Sequence, residues 1–290
     1  MIGKEGNAMK DIVVKKDDTL LNYLLNIELP YSKSKIRSLL KHYCISVNGV
    51  TTTQFDTVVK KNDKITLIEY NPKLDTPLDI IYEDRDLLVI NKPNGLLSVP
   101  TENQNEISAY HYAKDYVKRG IYVIHRLDKF TSGVLIFAKN EKTQRCYRDD
   151  WQKKAPERAY IAMVEGTLDQ KEGTIESFLS ETKSLHVFSS VSGKEAITHY
   201  QTIKSNDRYS ALLVHLETGR RNQIRVHMSD LKHPIVGDSK YGAKTNPIKR
   251  LALHAYRVKV MSPNSKKVHA FVAPIPNTFH RIVDLKDFRG

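Results

Sequence analysis

Cysteine and tryptophan are scarce: 290 residues hold two cysteines, Cys44 and Cys146, and a single tryptophan. Without a CxxC pair the chain offers neither a disulfide framework nor a thiolate zinc site. No apolar run approaches the roughly 18 residues of a membrane-crossing helix. The opening MIGKEGNAMKD lacks an apolar signal core. The expectation is a cytoplasmic protein with no membrane partner, and Met9 is a candidate natural start. Also missing are GxxxxGK, GxGxxG after a strand, HExxH and GxSxG, which removes ATP hydrolysis, dinucleotide chemistry, zinc proteolysis and the serine hydrolases. No cofactor and no metal are expected. Acidic residues fall short as well, 33 against 46 basic, for a net charge of +13 and a sequence pI near 9.5. Such an excess favours a polyanionic partner, because every phosphate neutralised releases counterions; the bland alternative is a basic protein that merely stays soluble. Hydrophobic content of 40% and a mean hydropathy of -0.46 are ordinary for a globular chain with one or two domains.

What is present divides into two segments. Residues 10–70 read as a small module, 71–79 (NPKLDTPLD) as a linker, and 80–290 as one larger domain. In SKSKIRSLLKHYC, residues 32–44, Ser32 is a candidate helix N-cap, and Ile36 with Leu40 and Leu39 with Tyr43 fall on one side. Lys33, Arg37 and Lys41 recur on another side, with Lys35 nearby, either to meet anions or as a solvated face. Asn48-Gly49 is a hairpin turn signal, and Lys61-Asn62-Asp63 breaks the run before KITLIEY. The order helix, VNG, NDKITL resembles an S4 domain, a small RNA-binding module. That resemblance implies that the helix beginning near Ser32 lies against RNA backbone, although ten basic and seven acidic residues over 10–70 put most of the positive charge elsewhere.

In the larger domain, apolar runs alternate with helical stretches, as in an α/β or α+β fold, and runs such as GVLIFA predict buried strands. Three constellations stand out. HRLDKFTSG, residues 125–133, packs His125, Arg126, Asp128 and Lys129 between two apolar runs, although Thr131, Ser132 and Gly133 already supply turn chemistry. Asp128, its one carboxylate, is expected to stay ionised, as a nucleophile, a base, or the partner of Arg126 or Lys129. ERAYIAMVEG, residues 157–166, alternates as a half-buried strand does and places Tyr160 beside small residues; such a tyrosine either stacks on a base and uses its hydroxyl in proton transfer, or simply packs. LETGRRNQIRVHMSDLKHPIVGDSKYG, residues 216–242, predicts a helix ended by His233-Pro234. Arg221 and Arg225 lie four apart near its N-terminus, to hold an anion or to form surface salt bridges.

Together, NKPNGLLSVP, HRLDKFTSGVLIFAKN, ERAYIAMVEG, TGRRNQIRVH with HPIVGDSKYG, and RLALHA at 250–255 closely resemble the RluA-type pseudouridine synthases, in the branch that modifies large-subunit ribosomal RNA. The resemblance runs from about Asp84 to the C-terminus and implies an α+β fold with a mixed, mainly antiparallel sheet flanked by helices. It implies that Asp128 is the catalytic aspartate. Tyr160 would be the tyrosine that stacks on the target base and helps remove the C5 proton, and Arg225 would pair with Asp128 and hold it. Lys92-Pro93 would back the site structurally. Arg126 and Arg221 are expected to contact RNA, as are Lys33, Lys35, Arg37 and Lys41. The chain departs from the family at Asn222, where histidine is common, at Arg158, where lysine is frequent, and at Ser262-Pro263, where His-Pro is usual.

The reaction so implied isomerises uridine in RNA, 23S ribosomal RNA first and transfer RNA second, by a monomer. N1–C1′ breaks, the uracil turns while held, and C5 joins C1′ before losing its proton. Asp128 has two routes open, attack on C1′ or removal of the C2′ proton to give a glycal. The target base must leave its stack, at a cost of a few kcal/mol. The competing readings are an S4-type RNA-binding protein whose larger domain only grips, and a glycosidase, which would want two carboxylates flanking the bond.

Overall fold

The computed structural model describes residues 9–41, 45–52, 54–68, 78–100, 108–263, 265 and 267–288. Tyr43, Cys44, most of the 71–79 linker and the side chain of Lys41 lie outside the described residues. The chain divides into compact units of residues 1–76 and 77–290.

In the first unit, β1 (Met9–Val13), β2 (Asp18–Thr19), α1 (Leu20–Asn26) and α2 (Lys33–Lys41) precede β3 (Ile45–Val47), β4 (Val50–Thr51), β5 (Val58–Val59) and β6 (Lys64–Ile68). Strands β1, β6, β3 and β4 form an antiparallel sheet in that order, and β2 pairs with β5. The β3–β4 hairpin turns on Asn48 and Gly49 at φ 50° and 78°, the left-handed pair that Asn-Gly adopts at little cost. Helix α2 starts at Ser32, whose Oγ accepts the Lys35 N–H at 3.2 Å. Its Ile36, Leu39 and Leu40 are buried against Leu20, Leu24, Ile45 and Leu67, each contributing roughly 2 kcal/mol of burial.

The second unit is an α+β domain. It runs β7 (Asp79–Glu83), β8 (Leu87–Lys92), α3 (Ala109–Val117), β9 (Tyr122–Val123), β10 (Ser132–Ala138), α4 (Glu141–Arg148), α5 (Trp151–Lys154), β11 (Glu157–Glu165), β12 (Glu172–Glu181), β13 (Val187–Ser190), β14 (Lys194–Ser205), β15 (Tyr209–Leu216), α6 (Gln223–Asp230), β16 (Leu253–Met261) and β17 (Val268–Val272). One 11-stranded sheet takes the order β13-β12-β14-β15-β11-β16-β10-β8-β7, with β17 beside β16 and β9 beside β10. All pairings are antiparallel except β10 with β16, which run parallel through Ser132↔His254 and Gly133↔Ala255. Every residue of β10 is buried, as its uninterrupted apolar run predicts. Strand β11 corrects the half-buried expectation: Arg158, Ala159 and Ile161 through Val164 are all buried, because α6 and the C-terminal segment cover the face that alternation would leave to solvent.

Where β10 and β16 run parallel, their backbones nearly touch. Gly133 takes φ +113°, and a Cβ there would lie 2.1 Å from the Ala255 carbonyl oxygen. Only glycine fits, and this close approach sets the loop before β10 against β16. Gly133→Ala is expected to cost about 3 kcal/mol or more, read from the denaturation midpoint; a loss below about 1 kcal/mol would mean that the strands part freely.

Candidate active site

Strands β9 and β10 are antiparallel, with Val123 opposite Phe137, and residues 124–131 form the loop between them. Each exposed-looking segment of that loop is tied down. His125 Nε2 accepts the Ile136 N–H at 3.1 Å, and its ring stacks on Trp151, 4.7 Å between centroids. Burial, reinforced by Arg158, draws its pKa down to about 3, so His125 is a neutral strut. Ser98 Oγ accepts from Leu127 N at 2.9 Å and donates to Leu127 O at 2.7 Å. The Asp128 carbonyl accepts from Thr131 N at 3.1 Å, closing a turn, and the Lys129 carbonyl accepts from Gly95 N at 2.9 Å. The Phe130 carbonyl accepts from Asn94 Nδ2. Beneath lies Lys92, with no exposed surface. Its Nζ donates to the carbonyls of Pro93, Leu96 and Lys129 at 3.0, 2.7 and 3.2 Å. Burial pulls its pKa down to about 7, against the attraction of Asp128; three carbonyl acceptors suit the charged form.

Asp128 keeps part of its surface exposed at the mouth of this cage. Burial pushes its pKa up, and Arg225, Arg221, Lys92 and Arg126 oppose that rise. The removal of water outweighs the four cations, so the carboxyl sits above its usual pKa. Arg225 does not close on Asp128. Its Nε and Nη2 donate to Asp238 Oδ2 and Oδ1, both at 2.7 Å, and its Nη1 to Asn222 Oδ1 at 3.0 Å. The guanidinium lies 4.8 Å from the centroid of Tyr241. Burial works against its charge, yet the Asp238 bonds hold its pKa above the usual value. Arg225 thus acts on Asp128 through space while its planar fork is committed elsewhere.

Arg221 is not one helical turn from Arg225 within α6. Asn222, at φ 53°, is the N-cap, so Arg221 precedes the helix and bonds Glu181 at 2.6 Å. The helix also stops before His233-Pro234. Lys232 takes φ 66°, and the Lys232 and His233 N–H groups return to Ser229 and Met228, a Schellman close without glycine. Arg126 is exposed and makes no hydrogen bond or ion pair with a described residue. Tyr160 stands opposite Val214 and Ala255, beside a bulge in β16 at which Tyr256 is the extra residue. Burial raises its phenol to about 12, Arg158 lowering it and Asp128 adding to the rise. In the first unit Lys33 and Arg37 are exposed and Lys35 is half-buried.

Sequence reasoning quoted Asp238, Ser98 and Arg250 inside its motifs without assigning them. Asp238 holds Arg225; Ser98 clasps Leu127; Arg250 donates to Ser132 Oγ at 2.7 Å. A carboxylate 13 positions after an arginine carries no local signal, so only proximity in space reveals the pairing. Among the described residues no helix is long and apolar enough to cross a membrane, and no three metal-ligating side chains come together.

The family profile described as RNA pseudouridylate synthase matches residues 86–230, which spans the loop, Tyr160 and α6. An uncharacterized RNA pseudouridine synthase of Bacillus subtilis, YhcT, is 34% identical over 95% of this chain and 96% of its own length. The ribosomal large subunit pseudouridine synthase D of Pasteurella multocida is 31% identical over 88% of this chain and 86% of its own. The fold matches that of human RNA pseudouridylate synthase domain containing 1 at a TM-score of 0.58 and 24% identity, over 71% of this chain and 86% of that one. With this fold, and with relatives matched along nearly its whole length, the chain belongs to the RNA pseudouridine synthase family and is an isomerase.

Proposed function

We propose that this enzyme converts uridines of large-subunit ribosomal RNA to pseudouridine at Asp128. What carries the reading is the Asp128 carboxyl itself, partly exposed, raised in pKa by burial and ringed by Arg225, Arg221, Lys92 and Arg126. The substrate class is suggested by the Pasteurella relative, whose name specifies the ribosomal large subunit, and by a net charge of +13.

In this reading the flipped uridine lays its base on the Tyr160 ring and presents its sugar to Asp128. A desolvated carboxylate is a stronger nucleophile and base than a hydrated one, and the nearby guanidinium of Arg225 keeps a useful fraction ionised. Attack on C1′ forms an Asp128–C1′ bond as N1–C1′ breaks, and C5 of the turned uracil then displaces the carboxylate; on the other route Asp128 takes the C2′ proton as N1 leaves and returns it to C2′ as C5 joins C1′. With its pKa near 12, Tyr160 is a neutral phenol that can relay the C5 proton but not wait as an anion. In the same reading Arg126, which is exposed, and Arg221, which pairs with Glu181, contact the phosphates on either side of the flipped nucleotide. The first unit serves as an S4-like RNA-binding domain, with the exposed Lys33 and Arg37 of α2, together with Lys35 and Lys41, against the backbone.

Asp128→Asn is expected to reduce pseudouridine formation at least about 1,000-fold while leaving RNA affinity within about tenfold of wild type; unchanged product would end the assignment. Because the ionised carboxylate is the working form and burial favours the protonated one, kcat/KM is expected to fall on acidification at a pH above the ordinary carboxylate range. An acid limb at or below that range would contradict the desolvated nucleophile. Replacing Lys33, Arg37 and Lys41 together by glutamine is expected to lower the slope of log affinity against log salt by about 2. An unaltered slope would remove α2 from the RNA contact.

A further inference from the structure

The turn that carries Asp128 also carries a residue that the turn has no use for. Thr131 N returns to the Asp128 carbonyl at 3.1 Å, so Lys129 and Phe130 occupy the corners, where small polar residues are the ordinary choice. Leu127, Thr131 and Ser132 are 7%, 2% and 4% exposed, whereas Phe130 is 50% exposed. Its ring belongs to none of the apolar clusters of the core. No aromatic ring or cation among the described residues lies against it. Nor is it a loose end: the Phe130 carbonyl accepts from Asn94, and the preceding carbonyl accepts from both Gly95 and Lys92. An aromatic face is thus held in water on a fixed backbone, two residues from the reacting carboxylate, in a loop that also exposes Lys129 and Arg126.

We propose that the Phe130 ring is a stacking platform for the nucleobase next to the reacting uridine. The inference rests on the reading of Asp128 as the reacting residue. Cationic neighbours suit an RNA strand, whose phosphates they meet while an unstacked base covers the ring. Extruding the target uridine leaves the adjacent base short of one stacking partner, and a rigid phenyl replaces it at little entropic cost. Every base has a π-face, so Phe130 sets the path of the strand and not the identity of the base.

The test is a set of substitutions assayed on an unmodified transcript of large-subunit ribosomal RNA. Phe130→Ala is expected to raise KM about tenfold, with the effect on KM and not on kcat, and without a change in thermal midpoint. Phe130→Leu, equally apolar but without a π-face, should behave as Ala does, while Phe130→Tyr and Phe130→Trp restore KM. On addition of an oligouridine, the Phe130→Trp protein should lose more emission than wild type, whose one tryptophan is Trp151. An unchanged KM in Phe130→Ala, full rescue by Leu, or a lowered thermal midpoint in Phe130→Ala would each overturn the proposal, the last by showing a packing role. Should wild type make no pseudouridine in the transcript, the proposed substrate fails; the oligouridine titration then decides the platform alone, stacking with quenching and its absence refuting it.

Discussion

A carboxylate set among arginines ordinarily closes a salt bridge, and in this fold every neighbouring cation with a fixed partner has been given one other than Asp128. Arg225 spends its fork on Asp238 and Asn222, Arg221 turns to Glu181, and Lys92 is surrounded by three carbonyls. Asp128 receives their field without being tied to their hydrogen bonds. A bidentate arginine would occupy both of its oxygens and block an approaching sugar; a field alone leaves them free while keeping the charge affordable in a site that has lost much of its water. Everything else at the centre serves to keep those partners where they are.

The Arg225–Asp238 pair shows how this is done. Asp238 is 2% exposed, and an ion pair at such depth gains little net stability over apolar packing, although removing either partner strands a charge at a cost of about 3–5 kcal/mol. Its benefit is geometric. Asn222 bridges Arg225 and Tyr241, accepting from one and donating to the other at 3.1 Å, while the Tyr241 ring lies against the guanidinium. The left-handed Asn222 also starts α6, so the residue that begins the helix helps fix the arginine one turn along it. Asn222 thus uses both ends of its amide.

The loop answers the same need by different means. Four hydrogen-bonding groups from the 92–98 segment hold the backbone of residues 127–130. Gly133 then lets the chain pass within touching distance of Ala255. Few degrees of freedom remain for the Asp128 backbone, which is the kind of pre-organisation that the proposed role of its carboxyl asks for. Of the four ionisable residues in HRLDK, His125 proved to be a strut with its pKa near 3. Arg126 and Lys129 are exposed, and Asp128 keeps only part of its surface in water.

The sequence by itself determined a good deal. Apolar runs such as GVLIFA can be satisfied only inside a sheet, Asn48-Gly49 has few alternatives to a tight hairpin, and Ser32 before an amphipathic run starts a helix, because each of these is decided by neighbours a few residues away. Asp128, Tyr160 and Arg225 stood out as candidates for another reason: several ordered motifs resembled one enzyme family. Tertiary structure decided what depends on water and on distance. Whether Asp128 keeps an ordinary pKa follows from how much solvent the surrounding chain displaces, which no local pattern encodes. Which acid holds Arg225 follows from a loop brought beside α6 by the sheet. Strand β11 alternates like a half-buried strand, yet lies buried on both sides because elements remote in sequence cover it. Local pattern names the candidate groups, and only the folded chain sets the field and the partners around them.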